Sequence, residues 1–172
     1  MSNTILVAYA THYGSTQEVA EAIAAEIRSS GHDVDLQPLS QVHDLTPYHA
    51  VVIGSPLYMG KMQQDAHHFL AAQRDALTRL PAAIFALGPL STDLDEMRGS
   101  REQLNRELAQ YPWLKPVSTE MFVGKYDPAS LSFVHKLIAI LPASPLHNLP
   151  ASDHRDWDAI RTWAREIVPE LA

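Results

Sequence analysis

The sequence predicts an α/β fold built on one parallel β-sheet with helices on both faces. The first observation is that short apolar runs of strand type alternate with stretches of helical periodicity along the 172 residues. The second is that no low-complexity linker or internal repeat interrupts this alternation. Strands separated by helices form parallel sheets whose faces are both covered. With 46% hydrophobic residues the chain can bury a sizeable core, and we expect one domain over residues 1–172.

The first unit of this fold is a strand over residues 5–9, a loop over residues 11–16 and a helix. The helix is indicated by apolar residues that share one face, namely Val19, Ala20, Ile23, Ala24 and Ile27. Gly31 follows them at a position typical of a left-handed C-terminal cap. The unit therefore predicts a strand, a hydroxyl-rich loop and a helix N-terminus in immediate succession.

Four further strands and three helices complete the predicted sheet and its two helical layers. The strands are predicted at 34–39, which alternates and is therefore an edge strand, and at 50–53, 82–87 and 117–124. Helices are predicted at about 63–76 and 101–110, with a final one from Asp156 to Ile167. For five parallel strands in the order 2-1-3-4-5, ligands bind beyond the carboxyl ends of strands 1 and 3, where the strand order reverses.

The segment that follows the fifth strand, residues 125–152, is called the insert below. Asp127 as N-cap, Pro128 in the first turn and Pro142 as terminator predict a helix over 128–141. Its apolar residues spread beyond one stripe: Leu131, Phe133, Val134, Leu137, Ile138, Ala139, Ile140 and Leu141. Two interpretations stay open. The helix closes over its own core, or it is a cover for a hydrophobic substrate, a dimer contact or a contact with a membrane surface.

The loop at residues 11–16 can hold a phosphate because a helix N-terminus presents unpaired N–H groups. It is not a nucleoside-triphosphate loop, since Gly14 rather than lysine precedes Ser15 and no Lys or Arg occurs between Met1 and Ile27. It also lacks the three glycines of a dinucleotide fingerprint. What remains is a monophosphate ester, or a helix start that binds no ligand.

Charge and composition limit the partners and the chemistry. The formal net charge of −7 disfavours nucleic acid, and the absence of cysteine excludes thiol catalysis. No leader pattern or run of ~18 apolar residues is present, so we expect a cytoplasmic protein, with peripheral membrane contact through 128–141 as an option. Adjacent His67 and His68 point about 100° apart on a helix, and we predict no metal site. No catalytic side chain is predicted, so the chemistry would belong to a cofactor.

Two loops carry a resemblance to a known family. The run Tyr9-Ala10-Thr11-His12-Tyr13-Gly14-Ser15-Thr16 is similar to the phosphate loop of the flavodoxin superfamily, and Val51 to Gly60 is similar to its first flavin-flanking loop. The resemblance implies a flavodoxin-like three-layer sandwich that binds FMN, with Tyr58 and Leu90 flanking the flavin ring. The cofactor-binding residues then expected are Thr11, His12, Tyr13, Gly14, Ser15, Thr16, Ser55, Pro56, Leu57, Tyr58, Met59, Gly60, Gly88, Pro89, Leu90 and Ser91.

The C-terminal half resembles one branch of that superfamily, the quinone-linked protoporphyrinogen dehydrogenases, although residues 125–155 carry only three cations. This resemblance implies an FMN-dependent oxidoreductase that takes electrons from a hydrophobic or aromatic donor and passes them to a quinone. Two alternatives stay open: a diffusible electron carrier whose acidic surface docks protein redox partners, and a flavodoxin-shaped interaction module without flavin. A homodimer is a further option for the partner.

Overall fold

The computed structural model describes residues 3–172, and its centre is a sheet of five parallel strands. These are β1 (Thr4–Tyr9), β2 (Asp33–Pro38), β3 (Ala50–Tyr58), β5 (Ala82–Leu87) and β6 (Ser118–Phe122), with the two-residue β4 (Lys61–Met62) antiparallel to the end of β3. The parallel strands lie in the order β2-β1-β3-β5-β6. Because β4 lies off this path, the order is the predicted 2-1-3-4-5, and the predicted fold class is confirmed.

Residues 3–172 form six α-helices around the sheet. They are α1 (Ser15–Ser29), α2 (Gln64–Ala72), α3 (Arg74–Leu77), α4 (Leu94–Leu108), α5 (Phe133–Ile140) and α6 (Trp157–Leu171), and a short 3₁₀ helix (Leu39–Gln41) follows β2. Among residues 3–172, no helix is both long enough and apolar enough to span a bilayer.

Strand residues alternate between two cores, one on each face of the sheet. On β1, Ile5 and Val7 face the core formed with α1 and α6, whereas Leu6 and Ala8 face the core formed with α2 and α4. This is the period-two alternation of a strand covered on both faces. The strands are thereby held from both sides, and their carboxyl ends are fixed relative to one another.

Two of the predicted helices have boundaries that differ from the structure. The helix predicted over 63–76 is broken at Gln73, whose dihedrals (φ −100°, ψ 16°) are not helical and whose amide donates to the carbonyl of His43. The helix predicted from residue 101 begins at Leu94, because the Asp93 carboxylate caps the N–H groups of the first turn. Its first two turns carry two apolar residues, Leu94 and Met97, among polar ones, so no apolar stripe marked them.

The helix of the insert begins at Phe133 rather than at Pro128. The Asp127 carboxylate accepts the N–H of Ala129 in an isolated turn, and Ser132 is the true N-cap, with its hydroxyl accepting from the N–H of His135. Both Asp127 and Ser132 are good caps by residue type. Local sequence could not decide between them.

A two-stranded clasp that the sequence analysis missed closes the insert. Strand β7 (Lys125–Tyr126) pairs antiparallel with β8 (Ser152–Asp153), in the register Lys125↔Asp153 and Tyr126↔Ser152. The two ends of the insert are therefore adjacent, and the chain returns directly into α6.

Candidate functional site

A cavity of about 850 Å³ lies at the carboxyl edge of the sheet, where the strand order reverses between β1 and β3. It is bounded by the loops after β1, β3 and β5 and by the insert. Eleven of the sixteen residues predicted for the site line it: Thr11, His12, Tyr13, Ser15, Thr16, Pro56, Leu57, Tyr58, Met59, Gly88 and Leu90. Residues from three separate loops thus meet in one place.

The other five predicted residues, Gly14, Ser55, Gly60, Pro89 and Ser91, do not line the cavity, and several of them shape its loops. Gly14 adopts φ 88° as the N-cap of α1 and donates its N–H to the Thr11 hydroxyl at 2.9 Å. The Ser55 hydroxyl is buried and accepts the N–H of Gln63 at 3.1 Å.

The N-terminus of α1 leaves several hydrogen-bonding groups without protein partners. In the described part of the chain, no side chain caps this helix. Its first helical hydrogen bond runs from the N–H of Glu18 to the carbonyl of Gly14, so the N–H groups of residues 15–17 have no partner inside the helix. The Thr16 hydroxyl is fully buried and also lacks a partner. A phosphate oxygen is a suitable acceptor for these donors, so the residues present fit a monophosphate group.

The second loop of the cavity is a tight hairpin turn. Tyr58 pairs with Lys61, and the two residues between them, Met59 and Gly60, have φ values of 49° and 78°. Positive φ at both central residues is the pattern of a type I′ turn. The turn holds Tyr58 at the cavity wall, where burial raises the pKa of its phenol above the usual value.

A buried glutamate of α4 is hydrogen-bonded to the strand that leaves this turn. The Glu107 carboxylate accepts the N–H of Met62 and contacts His67 Nε2, both at 2.9 Å, and also accepts the side-chain amide of Gln110. Glu107 is 7% exposed. The strand that leaves the turn is therefore fixed by a side chain that is 45 residues away in sequence.

The third loop is held at both of its ends. The N–H of Leu90 and the hydroxyl of Ser91 both donate to the carboxylate of Glu96, and the carbonyl of Pro89 accepts the N–H of Gly124 at 2.7 Å. Leu90 thereby faces the cavity while Ser91 lies outside it.

The insert forms a fourth wall that the predicted site did not include. Helix α5 places His135 on this wall, hydrogen-bonded to the Tyr13 hydroxyl, and the His135 ring lies 5.1 Å from the Tyr58 ring and 5.3 Å from the His12 ring. The other wall residues of the insert are Lys125, Tyr126, Asp127, Ser130, Leu131, Ile138, Ser144, Pro145 and Leu146. The spacing of His135 and Ile138, three residues apart on one face of α5, was the available signal.

The opposite face of α5 is open to solvent. Phe133, Leu137 and Ile140 are 77%, 51% and 68% exposed, and no residue of α5 is buried. The interpretation of this helix as one that closes over its own core is therefore wrong. Leu131, which precedes the helix, is the residue that packs inward at 8% exposure.

The remaining charged groups on the wall are two lysines and two aspartates. Lys61 and Lys125 line the cavity together with Asp65 and Asp127. Within residues 3–172 there is no cluster of three or more His, Asp or Glu side chains placed to hold a metal ion. The site therefore offers hydrogen-bond donors at one end and aromatic and apolar walls at the other.

Comparison with known proteins agrees with this architecture. The chain is 20% identical over 173 residues to protoporphyrinogen IX dehydrogenase [quinone] of Escherichia coli strain K12, covering 95% of this chain and 93% of that one. It is 28% identical over 90 residues to an NAD(P)H dehydrogenase (quinone) of Caulobacter vibrioides, covering 40% and 45% of the two chains. Both of these relatives are quinone-linked oxidoreductases, and both are distant in sequence.

Among solved structures, oxidised flavodoxin 2 from Bacillus cereus superimposes with a TM-score of 0.62 at 18% identity, covering 97% of this chain and 99% of that one. The family model of the flavodoxin domain matches residues 6–143, which include most of β1, the three cavity loops and all of α5. From this match and the sheet order, the chain belongs to the flavodoxin domain family.

Proposed function

We propose that the protein binds FMN in this cavity and acts as an FMN-dependent oxidoreductase with a quinone as electron acceptor. The observation that carries the proposal is the buried, unpartnered hydroxyl of Thr16 beside the uncapped N-terminus of α1. A buried polar group without a partner costs stability, and such groups in native proteins commonly serve a ligand. Family membership supports FMN as that ligand.

In this proposal each wall has a separate task. The Thr11, Ser15 and Thr16 hydroxyls and the N–H groups of residues 15–17 hold the phosphate, while Tyr58 and Leu90 flank the ring. FMN, when bound, supplies transfer of one or two electrons. The protein holds the ring in place and limits the access of water to it.

The insert would select the reaction partners. Its wall residues Leu131, Ile138 and Leu146 give the cavity an apolar side, which suits a hydrophobic or aromatic electron donor and a quinone. Both quinone-linked relatives support this choice of acceptor. The donor of the Escherichia coli relative, protoporphyrinogen, is a candidate donor here.

The exposed face of α5, formed by Phe133, Leu137 and Ile140, would contact a lipid surface. Membrane quinones partition into the hydrocarbon region, and a single amphipathic helix can rest at its boundary. Because the formal net charge is −7, we expect zwitterionic vesicles to be bound in preference to anionic ones.

A second function is favoured by the same charge. An acidic protein of this family can dock a basic redox protein and pass electrons to it without a small-molecule substrate. Reduction of a quinone by the purified flavoprotein supports the first function, and electron transfer to basic proteins alone supports the second. A preparation that takes up no FMN contradicts both.

The cofactor assignment is tested by Thr16→Val, which removes the buried hydroxyl and keeps the side-chain shape. Without flavin we expect this variant to be more stable than wild type by about 1 kcal/mol, because an unsatisfied polar group disappears. Its FMN dissociation constant should rise about 10- to 100-fold, since a hydrogen bond to a charged group is lost.

Ser29→Ala, at the other end of α1, is the matched control and should leave FMN affinity unchanged, since its hydroxyl bonds only the carbonyl of Ala25. Urea unfolding and flavin fluorescence quenching provide the two measurements. Wild-type FMN affinity in Thr16→Val would contradict the assignment.

The role of the insert is tested by exchanging Phe133, Leu137 and Ile140 together for Ser. Because all three are exposed, the flavin spectrum and the unfolding midpoint should stay close to those of wild type. We expect loss of sedimentation with phosphatidylcholine vesicles and slower reduction of a lipid-embedded quinone, with unchanged reduction of a water-soluble one. Wild-type vesicle binding excludes the lipid contact, and a change from dimer to monomer assigns the face to a second copy instead.

A further inference from the structure

An acidic side chain lies where a phosphate would be repelled. Glu18 is in the first turn of α1, the helix whose N-terminus forms the proposed phosphate site, and its side chain is 47% exposed. A phosphate monoester carries close to two negative charges at neutral pH. An unopposed carboxylate one turn away would weaken its binding, and no Lys or Arg occurs before Arg28 to offset that carboxylate from within the loop or the start of the helix.

The cation that offsets it comes from the other end of the chain. The side chain of Arg155 is 2% exposed, and its Nη1 lies 2.6 Å from Glu18 Oε2 and 3.3 Å from the carbonyl oxygen of Ser15. Arg155 follows β8 directly, so it reaches α1 from the point where the insert ends.

The rest of the guanidinium is fixed independently of α1. Its Nε and Nη2 donate to the two carboxylate oxygens of Asp153 at 2.8 Å and 2.7 Å, and its Cζ lies 4.6 Å from the centre of the Trp157 ring. This bidentate pair and the ring hold the group in place. The contacts with Glu18 and Ser15 are therefore made by a cation that is already oriented.

We propose that Arg155 is a positioning residue for the phosphate site, which neutralises Glu18 and so allows the N-terminus of α1 to accept a doubly charged phosphate. The inference rests on the proposed function. Glu18 and Arg155 do not line the cavity. We expect them to change the affinity for the phosphate group and to leave the affinity for the flavin ring unchanged.

The test compares FMN with riboflavin, which has the same ring and no phosphate. Arg155→Met should raise the FMN dissociation constant about tenfold, a size typical of one charge at a helix terminus, and leave that of riboflavin unchanged. Adding Glu18→Gln to Arg155→Met should restore FMN affinity to within about threefold of wild type. Equal weakening of both flavins, or no recovery in the double variant, would overturn the proposal.

A second variant covers the case in which Arg155→Met does not fold. Glu18→Gln alone alters a half-exposed side chain and leaves Arg155 paired with Asp153. It should tighten FMN about threefold and leave riboflavin unchanged, because one negative charge beside the phosphate is removed. Glu21→Gln, one turn further along α1 and hydrogen-bonded to Gln17, is the control for loss of one surface charge and should change neither constant.

An unchanged ratio of FMN to riboflavin affinity in Glu18→Gln overturns the proposal. Failure of the proposed function gives a different result, since wild type would then bind neither flavin. All constants come from fluorescence quenching of the free flavins, which requires no enzymatic activity.

Discussion

Replacing Gly54 by alanine should destabilise the protein strongly, because the space next to this residue is filled by an aromatic ring. Gly54 lies on β3 opposite Phe85 of β5. A methyl group at position 54 would lie 2.1 Å from Cζ of Phe85 and 2.5 Å and 2.7 Å from its two Cε atoms. Carbon atoms pack best about 3.5 Å or more apart, so the ring would have to retreat by roughly 1.4 Å.

The surroundings of Phe85 leave little room for such a retreat. Phe85 is fully buried, and its ring centre lies 6.3 Å from that of Phe122 and 6.1 Å from that of Trp163. Overpacking of a well-packed core costs about 1–3 kcal/mol, and the distances place Gly54→Ala at the upper end, about 3 kcal/mol. That is a large part of the 5–15 kcal/mol that typically stabilises a domain.

Urea unfolding of Gly54→Ala, Phe85→Leu and the double variant would measure this effect. Leucine lacks the ring atoms in question, so the double variant should be more stable than additivity predicts, with a coupling of at least about 1 kcal/mol. Gly99→Ala is the control: nothing lies within 4 Å of its added methyl group, and in the middle of α4 it should stabilise by about 1 kcal/mol. A cost below about 0.5 kcal/mol for Gly54→Ala, or additive effects in the double variant, would refute the reasoning.

Three further predictions concern the loops and the clasp. Glu107→Ala should cost about 2–3 kcal/mol in urea unfolding, since the N–H of Met62 loses its buried acceptor, and Glu107→Gln should cost clearly less; equal losses would exclude this hydrogen bond as the cause. Met59→Asn should raise the thermal midpoint by the equivalent of about 1 kcal/mol, because asparagine tolerates the positive φ at this turn position, and an unchanged or lower midpoint would contradict it. Hydrogen bonding to Arg155 lowers the pKa of Asp153, so at a given acidic pH this carboxyl group binds fewer protons in the folded than in the unfolded state. The stability difference between wild type and Asp153→Asn should therefore be present above pH ~4 and shrink as the pH falls below it, and a difference independent of pH would contradict the ion pair.

The sheet and two of the cavity loops could be predicted because the residues that indicate them are close together in the sequence. The apolar run of β1, the helical stripe of α1 and Gly31 lie within about thirty residues, and Gly31 adopts the predicted left-handed conformation at φ 92°. The alternating pattern of β2 predicted an edge strand, and β2 does lie at the edge of the sheet.

The contacts that the sequence could not reveal join residues far apart in the chain. The pairing of β7 with β8 rests on two residues in each strand, too short for any periodicity. Arg155 and Glu18 are separated by most of the sequence, and no local pattern near either residue predicts their contact. The start of α4 is different: Asp93 and Glu96 have the spacing of a capping box, a signal that was present and not used.

Because the β7–β8 clasp brings its two ends together, most of the insert could be replaced by a short turn. Because its two strands already stand side by side, a type I′ Asn-Gly turn could join them in place of residues 127–151 without any change in sheet register. The entropic cost of closing a loop grows only slowly with its length, so an insert of this size lowers the stability of the domain by little. Such a replacement would remove one wall of the cavity, while the phosphate loop would stay as it is.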